Sequence, residues 1–440
     1  MKMNREILRI ALPAIIANVT VPLLGLADTA IAGHLSSTQG AAYIGAISVG
    51  AMMFNLIYWN FGFLRMGTSG MTAQAYGAGD VAEQARLLRS SCGLALLISL
   101  IIVVLQWPLQ WLALWAIGPS AEVRDLALSY FYIGIWGAPP IFIMMSLKGW
   151  LLGMQNSTYP MAISIGVNVL NIVVSVIAVY LLGAGFKGIA IGTVVAEYVG
   201  LAISVWMVWH KYRDIVRRIR WRKLFDFTGA GKFMRVNADI FVRSFVLMLV
   251  TLFFISAGAR SGDMILAVNA LMMQLFTLYS HFIDGVAFAG EALVGKYYGA
   301  GNVRRMNLCV RRLFAWGSVV MLAFAVAYAL FPEPIYSLLT SDAGVVRAAM
   351  DYRWWCVAIP VAGMAAFVWD GVYIGLTASR AMMVAVLAAG ATFWLSFFAL
   401  PADWGNDRLW LAFILYLVMR GVILTACYRH YGQEKMKNLR

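Results

Sequence analysis

Asp28 sits inside the run Val21–Gly33, whose other residues are apolar or small. A carboxylate in such a run costs roughly 2.5–3.5 kcal/mol to place at the centre of a bilayer, so it calls for a partner, a proton or an aqueous cavity. Proton or cation binding is the chemistry it offers, and an interhelical hydrogen bond is the plainer alternative. Further along, Ser164, Asn168, Asn171 and Ser175 recur at spacings of four, three and four, which puts them on one face of a helix. Thr193 and Glu197 stand one turn apart on the next apolar run and add a second acid. The second half carries Asp239 and Arg243, four apart and expected to neutralise each other, with Asp284 and Asp370 as further acids able to bind a cation. Pro13 and Pro22 precede Asp28 on the same run. Each lacks a backbone N–H, so each bends the helix beside the acid or is absorbed by packing.

Elements that span a membrane must position these residues. The 440-residue chain is 62% hydrophobic and only 12% charged, about half the charge of a soluble domain. Apolar runs long enough to cross a bilayer recur throughout, continuous and without the alternation of a β-barrel. They predict an all-α membrane protein of twelve spans, at 6–34, 43–66, 90–116, 125–151, 159–183, 187–209, 234–258, 263–290, 308–331, 347–375, 380–400 and 408–428. With the N-terminus inside, the inner loops hold most of the Lys and Arg, including Arg86, Arg89, Arg213, Arg217, Arg304 and Arg305, while Arg124, Lys187, Arg260 and Arg408 are the outer exceptions. The positive-inside rule then places both termini in the cytoplasm.

The longest inner loop separates a first lobe, 1–210, from a second, 233–440, with a basic connection over 211–232. A repeat supports two six-helix lobes. At one offset of 222 residues, Tyr76–Gly79 matches Tyr298–Gly301, Arg89 matches Arg311, Gly149 matches Gly371 and Gly153 matches Gly375. Six spans per lobe give both lobes the same orientation, so a pseudo-two-fold axis along the membrane normal should relate them. Such a duplication suits alternating access.

Other chemistries find little support. The net charge of +14 comes from short loops and not from a basic domain, which argues against nucleic acid and leaves contact with anionic membrane lipids. Cys92, Cys309, Cys356 and Cys427 are far apart, without the spacing of a metal site. There is no GxxxxGK[ST] run to cradle a nucleotide. The expectation is a protein that is not an enzyme, needs no cofactor and draws on an ion gradient. The sixteen Trp, nineteen Tyr, twenty-four Phe and twenty-four Met suit interface anchoring, bundle packing and an adaptable cavity.

The chain resembles the multidrug and toxic compound extrusion (MATE) transporters, particularly their DinF branch. The resemblance rests on PLLGLADTAIAGH over 22–34, LRMGTSGMTAQAYGA over 64–78, NADIFVR over 237–243 and DGVYIG over 370–375. It implies a twelve-helix MATE-like fold in a bacterial inner membrane, and export of amphipathic, often cationic drugs or toxic compounds in exchange for protons or sodium. It implies Asp28 as the proton site and Pro13 as the bending proline. It also implies a sodium site at Asp28, Asn171 and Thr193, but Ser175 stands where that site has a second acid, and losing a carboxylate favours the proton. Asp370 matches an acid that another branch uses in its second lobe. The wider superfamily also contains flippases of lipid-linked precursors. Those need a cationic cleft, for which Lys148 and Arg243 are the main basic residues inside the spans.

Overall fold

The computed structural model describes residues 2–35 and 40–438. Among the described residues, twelve helices are long and apolar enough to cross a membrane: α1 (Lys2–Gly33), α2 (Ala42–Ala78), α3 (Val81–Val104), α4 (Val123–Gly153), α5 (Thr158–Leu181), α6 (Phe186–Lys211), α7 (Gly231–Arg260), α8 (Asp263–Gly299), α9 (Val303–Leu330), α10 (Arg353–Leu376), α11 (Ser379–Ala399) and α12 (Asn406–Tyr428). The chain is therefore a multi-pass membrane protein, with the number of spans that its hydropathy predicts.

Several boundaries moved, for local reasons. The span expected over 90–116 begins earlier and breaks at Leu105, and a separate helix covers Gln106–Ile117. Pro108 has no N–H for the carbonyl of Val104, so the ladder cannot continue through it. Helices α2 and α8 run past the expected ends at 66 and 290, to Ala78 and Gly299. Polar residues mark those last turns, but Thr68, Ser69, Thr72 and Glu291 are buried. The expected span 347–375 divides into a short helix, Ala343–Asp351, and α10.

Cα packing divides the chain into two compact units, Ile16–Met234 and Met1–Ile15 with Arg235–Arg440. The first turns of α1 group with the second half in this division. Ile7, Ile10, Ala11 and Ala14 are buried there. A Cβ at Gly285 would lie 2.9 Å from the Ala11 carbonyl oxygen, so α8 approaches α1 closely only because that side chain is missing. The Tyr297 hydroxyl donates to the Glu6 carboxylate in the same unit. The change of unit falls two residues after Pro13, while α1 itself stays helical throughout.

The repeat is also geometric. In the first unit a Cβ at Gly149 would sit 2.3 Å from the Arg65 carbonyl oxygen, and in the second a Cβ at Gly371 would sit 2.1 Å from that of Ala287. A Cβ at Gly153 would sit 2.7 Å from the Ser69 oxygen and 2.9 Å from the Ala73 nitrogen, and one at Gly375 would sit 3.0 Å from the Glu291 oxygen and 2.9 Å from the Gly295 nitrogen. All these pairs keep the 222-residue offset. So do two helix caps: Asp80 accepts from the Glu83 N–H at the start of α3, and Asn302 accepts from the Arg305 N–H at the start of α9. Gly79 and Gly301, with φ of 72° and 67°, make the left-handed turn before each cap. Each unit thus builds one close helix crossing, α2 on α4 and α8 on α10, around glycines that admit backbone.

Candidate functional site

The first unit is organised by a ridge of small residues on α6. Gly188, Gly192, Ala196 and Gly200 recur every four residues, and α5 lies directly on them. A Cβ at Gly192 would come 2.2 Å from the Ser175 Oγ and 2.6 Å from its Cα. This closeness joins the polar groups of the two helices. Asn171 Nδ2 donates to Thr193 Oγ1 at 3.2 Å, Ser175 Oγ donates to Asn171 Oδ1 at 3.2 Å, and Thr193 Oγ1 donates to the Ile189 carbonyl at 3.0 Å. Asn171 and Ser175 are fully buried. The expected polar stripe of α5 therefore divides. Asn171 and Ser175 turn to α6, whereas Asn168 Nδ2 reaches the Thr20 carbonyl and hydroxyl of α1, both at 3.3 Å. That contact lies about two turns before Asp28, beside Pro22, which has no N–H to give to the helix ladder.

Asp28 is only 7% exposed, although Leu26 on the same helix is 67% exposed. Asp28, Ile31 and Ala32 form the inward face of α1, and the last two pack with Ala46, Ile47, Ala127, Tyr130 and Ile189. Tyr130, of the same cluster, lies near both Asp28 and Thr193. Asp28 Oδ1 is buried and has no hydrogen-bond partner among the described residues. A charged carboxylate would be costly in that position, whereas a protonated one can carry its proton into it. Deeper in the same unit, Glu197 on α6 faces Lys148 on α4, and Tyr58 lies within range of the Glu197 charge.

In the second unit the acids are spent differently. Spacing set Arg243 against Asp239, but Arg243 donates to Asp370 on α10, and Asp239 accepts from Ser379 Oγ at 2.7 Å. Arg420 on α12 donates to the same Asp370 oxygen at 2.7 Å. Asp370, Arg243 and Arg420 are 7%, 4% and 4% exposed. The Arg420 guanidinium also lies 5.5 Å from the Tyr416 ring centre and 5.8 Å from that of Phe367. Sequence reasoning missed Arg420. The signal was available, since Arg420 is a lone charge inside the final apolar run, 408–428. Asp284, half-buried on α8, lies within electrostatic range of Tyr279.

No group of three or more His, Cys, Asp or Glu able to hold a metal occurs among the described residues. The side chains of Asn171, Ser175 and Thr193 are hydrogen-bonded to one another and to the Ile189 carbonyl of α6.

A family model described as MatE matches residues 13–177 and 240–397, one stretch in each half. The chain is 38% identical over 437 residues to DNA damage-inducible protein F of Escherichia coli (strain K12), covering 98% of this chain and 93% of that protein. It is 24% identical over 360 residues to the probable multidrug resistance protein NorM of Thermotoga maritima, covering 79% and 74%. Its fold matches a MATE protein solved in the bent conformation with a TM-score of 0.85 at 20% identity, over 100% of this chain and 97% of the other. The bent form of the Vibrio cholerae MATE transporter VcmN gives 0.84 at 18% identity, over 98% of each chain. The chain belongs to the MatE family of transporters.

Proposed function

We propose that the chain is a multidrug efflux antiporter of the bacterial inner membrane, with both termini cytoplasmic, which exports amphipathic and often cationic compounds in exchange for protons. The buried Asp28 Oδ1, without a hydrogen-bond partner among the described residues, carries this reading. Deprotonated Asp28 holds α1 in one shape or balances a cationic substrate. Protonation from the outer side removes the charge, α1 and the trio behind Tyr130 rearrange, and substrate leaves. Coupling by alternating access requires only that the proton bind the two conformations with different affinity.

The proton is favoured over sodium because one carboxylate, and not two, faces the site, and because the neighbouring oxygens already accept or donate within the protein. A flippase reading gains nothing from the second unit, where Arg243 and Arg420 both engage Asp370.

The test is dye or drug transport in reconstituted vesicles under an imposed proton gradient or an imposed sodium gradient, for wild type and Asp28→Asn. Proton-driven transport that the substitution abolishes supports the proposal. Sodium-driven transport, or undiminished proton-driven accumulation by Asp28→Asn, overturns it.

A further inference from the structure

The connection between α6 and α7 has an ordered, two-faced structure. Val216 and Ile219 are buried and pack with Leu88, Cys92, Leu147 and Trp150 in the core of the first unit. Arg86 Nη1 donates to the Gly229 carbonyl at 2.8 Å and Arg89 Nη2 to that of Asp226 at 3.2 Å. A Cβ at Gly93 would meet the Leu224 carbonyl oxygen at 2.3 Å, so α3 carries the connection in direct backbone contact. Asp226 caps its last turn, accepting from the Thr228 N–H at 3.0 Å.

The outer face is basic and aromatic. Residues 212–230 hold six Arg or Lys against two Asp. Arg213, Arg217, Arg218, Arg220 and Arg222 are exposed, and Lys223 lies 3.5 Å from Asp226. Trp221 and Phe225 stand among them, 49% and 52% exposed. The end of α6 fixes the level of this face. Trp206 and Trp209 are 63% and 43% exposed, and Trp206 stacks on His210 at 5.7 Å. Exposed tryptophans at a helix end mark the headgroup layer. The pinned connection begins just after them, at Tyr212, which puts its arginines next to that layer in the chain.

We propose that this face is a docking platform for the anionic phosphodiester headgroups of the surrounding leaflet, held by Arg217, Arg218, Arg220 and Arg222 with Trp221 and Phe225 inserted beside them. A membrane surface fits better than a nucleic acid because the exposed rings share the face with the charges and the neighbouring helix end lies at the same level. The proposal rests on the multi-pass topology in the reading above, and on neither its substrate nor its coupling ion.

The experiment is spin-labelled lipid association with the full-length protein in zwitterionic vesicles, comparing phosphatidylglycerol with phosphatidylcholine. Wild type should prefer phosphatidylglycerol, and added salt should weaken the preference. Each neutralised arginine should lower it by roughly fivefold, so that the quadruple Arg→Gln variant at 217, 218, 220 and 222 shows none. A matched variant with Arg304, Arg305, Arg311 and Arg312 changed to Gln should keep it. Equal association of the two lipids with wild type, a preference insensitive to salt, or one that survives the quadruple change overturns the platform. Nucleic acid retained by the wild type without lipid preference overturns it in favour of another partner. The assay reads no transport, so failure of drug export leaves its result standing. The salt titration needs no variant and decides the matter should the quadruple variant not fold.

Discussion

Two acids, Asp28 and Asp370, are buried to the same extent, and their partners separate them. Asp28 lies near the Tyr130 phenol, with its Oδ1 unpartnered among the described residues, while Asp370 accepts from two guanidiniums. Two guanidiniums share one oxygen of Asp370, and removing that carboxylate leaves both cations buried. Asp370→Asn should therefore destabilise the protein by about 3–5 kcal/mol, read as a fall in melting temperature in detergent. Changing Arg420→Met in the same chain should restore part of the loss. Asp28→Asn should leave melting unchanged or raise it, because it replaces a costly buried acid with a neutral isostere. Equal losses from the two Asp→Asn changes would sink this division of roles. At this scale the sequence named Asp28, Asn171, Ser175 and Thr193 as chemistry-bearing residues. It could not choose the partners of Arg243, because a contact four residues away on one helix and a contact 127 residues away look equally good until the helices are packed.

Helices meet closely here only where side chains are absent, so the glycines of α6 are the lever on the site. In Gly192→Ala the new methyl group would overlap both Oγ and Cα of Ser175, and α5 would have to move away from Thr193. The expected outcome is protein that still inserts and purifies but has lost most proton-driven transport, with destabilisation of about 1–3 kcal/mol from overpacking. Gly166 on α5 is the control, because nothing lies within 4 Å of its added Cβ. Gly166→Ala should be neutral or stabilise by about 0.5–1 kcal/mol through helix propensity. Loss of transport in both variants would mean that α5 senses any change and that the Gly192 contact has no special part. The existence of each helix was legible in hydropathy alone. The ends were not, because the polar final turns of α2 and α8 look like loop until a facing glycine is seen to bury them. Leu105 reads as helix until Pro108 is counted against it.

For the molecule as a whole, the orientation of the chain in the membrane decides which side of Asp28 meets the acid compartment. The duplication visible at one sequence offset returns in each unit as the same glycine crossing and the same cap, so an even number of spans separates equivalent points. The residue count could not reveal that the first turns of α1 pack with the second half, since that depends on the room left at Gly285. Orientation follows from charge. The basic residues concentrate in the connections after even-numbered helices, and those connections should remain on the cytoplasmic side. Single cysteines test this in a background with Cys427→Ser, the other three native cysteines being buried. Arg220→Cys should react with a membrane-impermeant thiol reagent only in inverted vesicles, and Lys187→Cys, in the first turn of α6, only in intact cells. The reverse pattern would place Asp28 in the inner half of α1, where protons arriving from outside would meet substrate on the wrong side for export, and proton-driven efflux through Asp28 would fail with it.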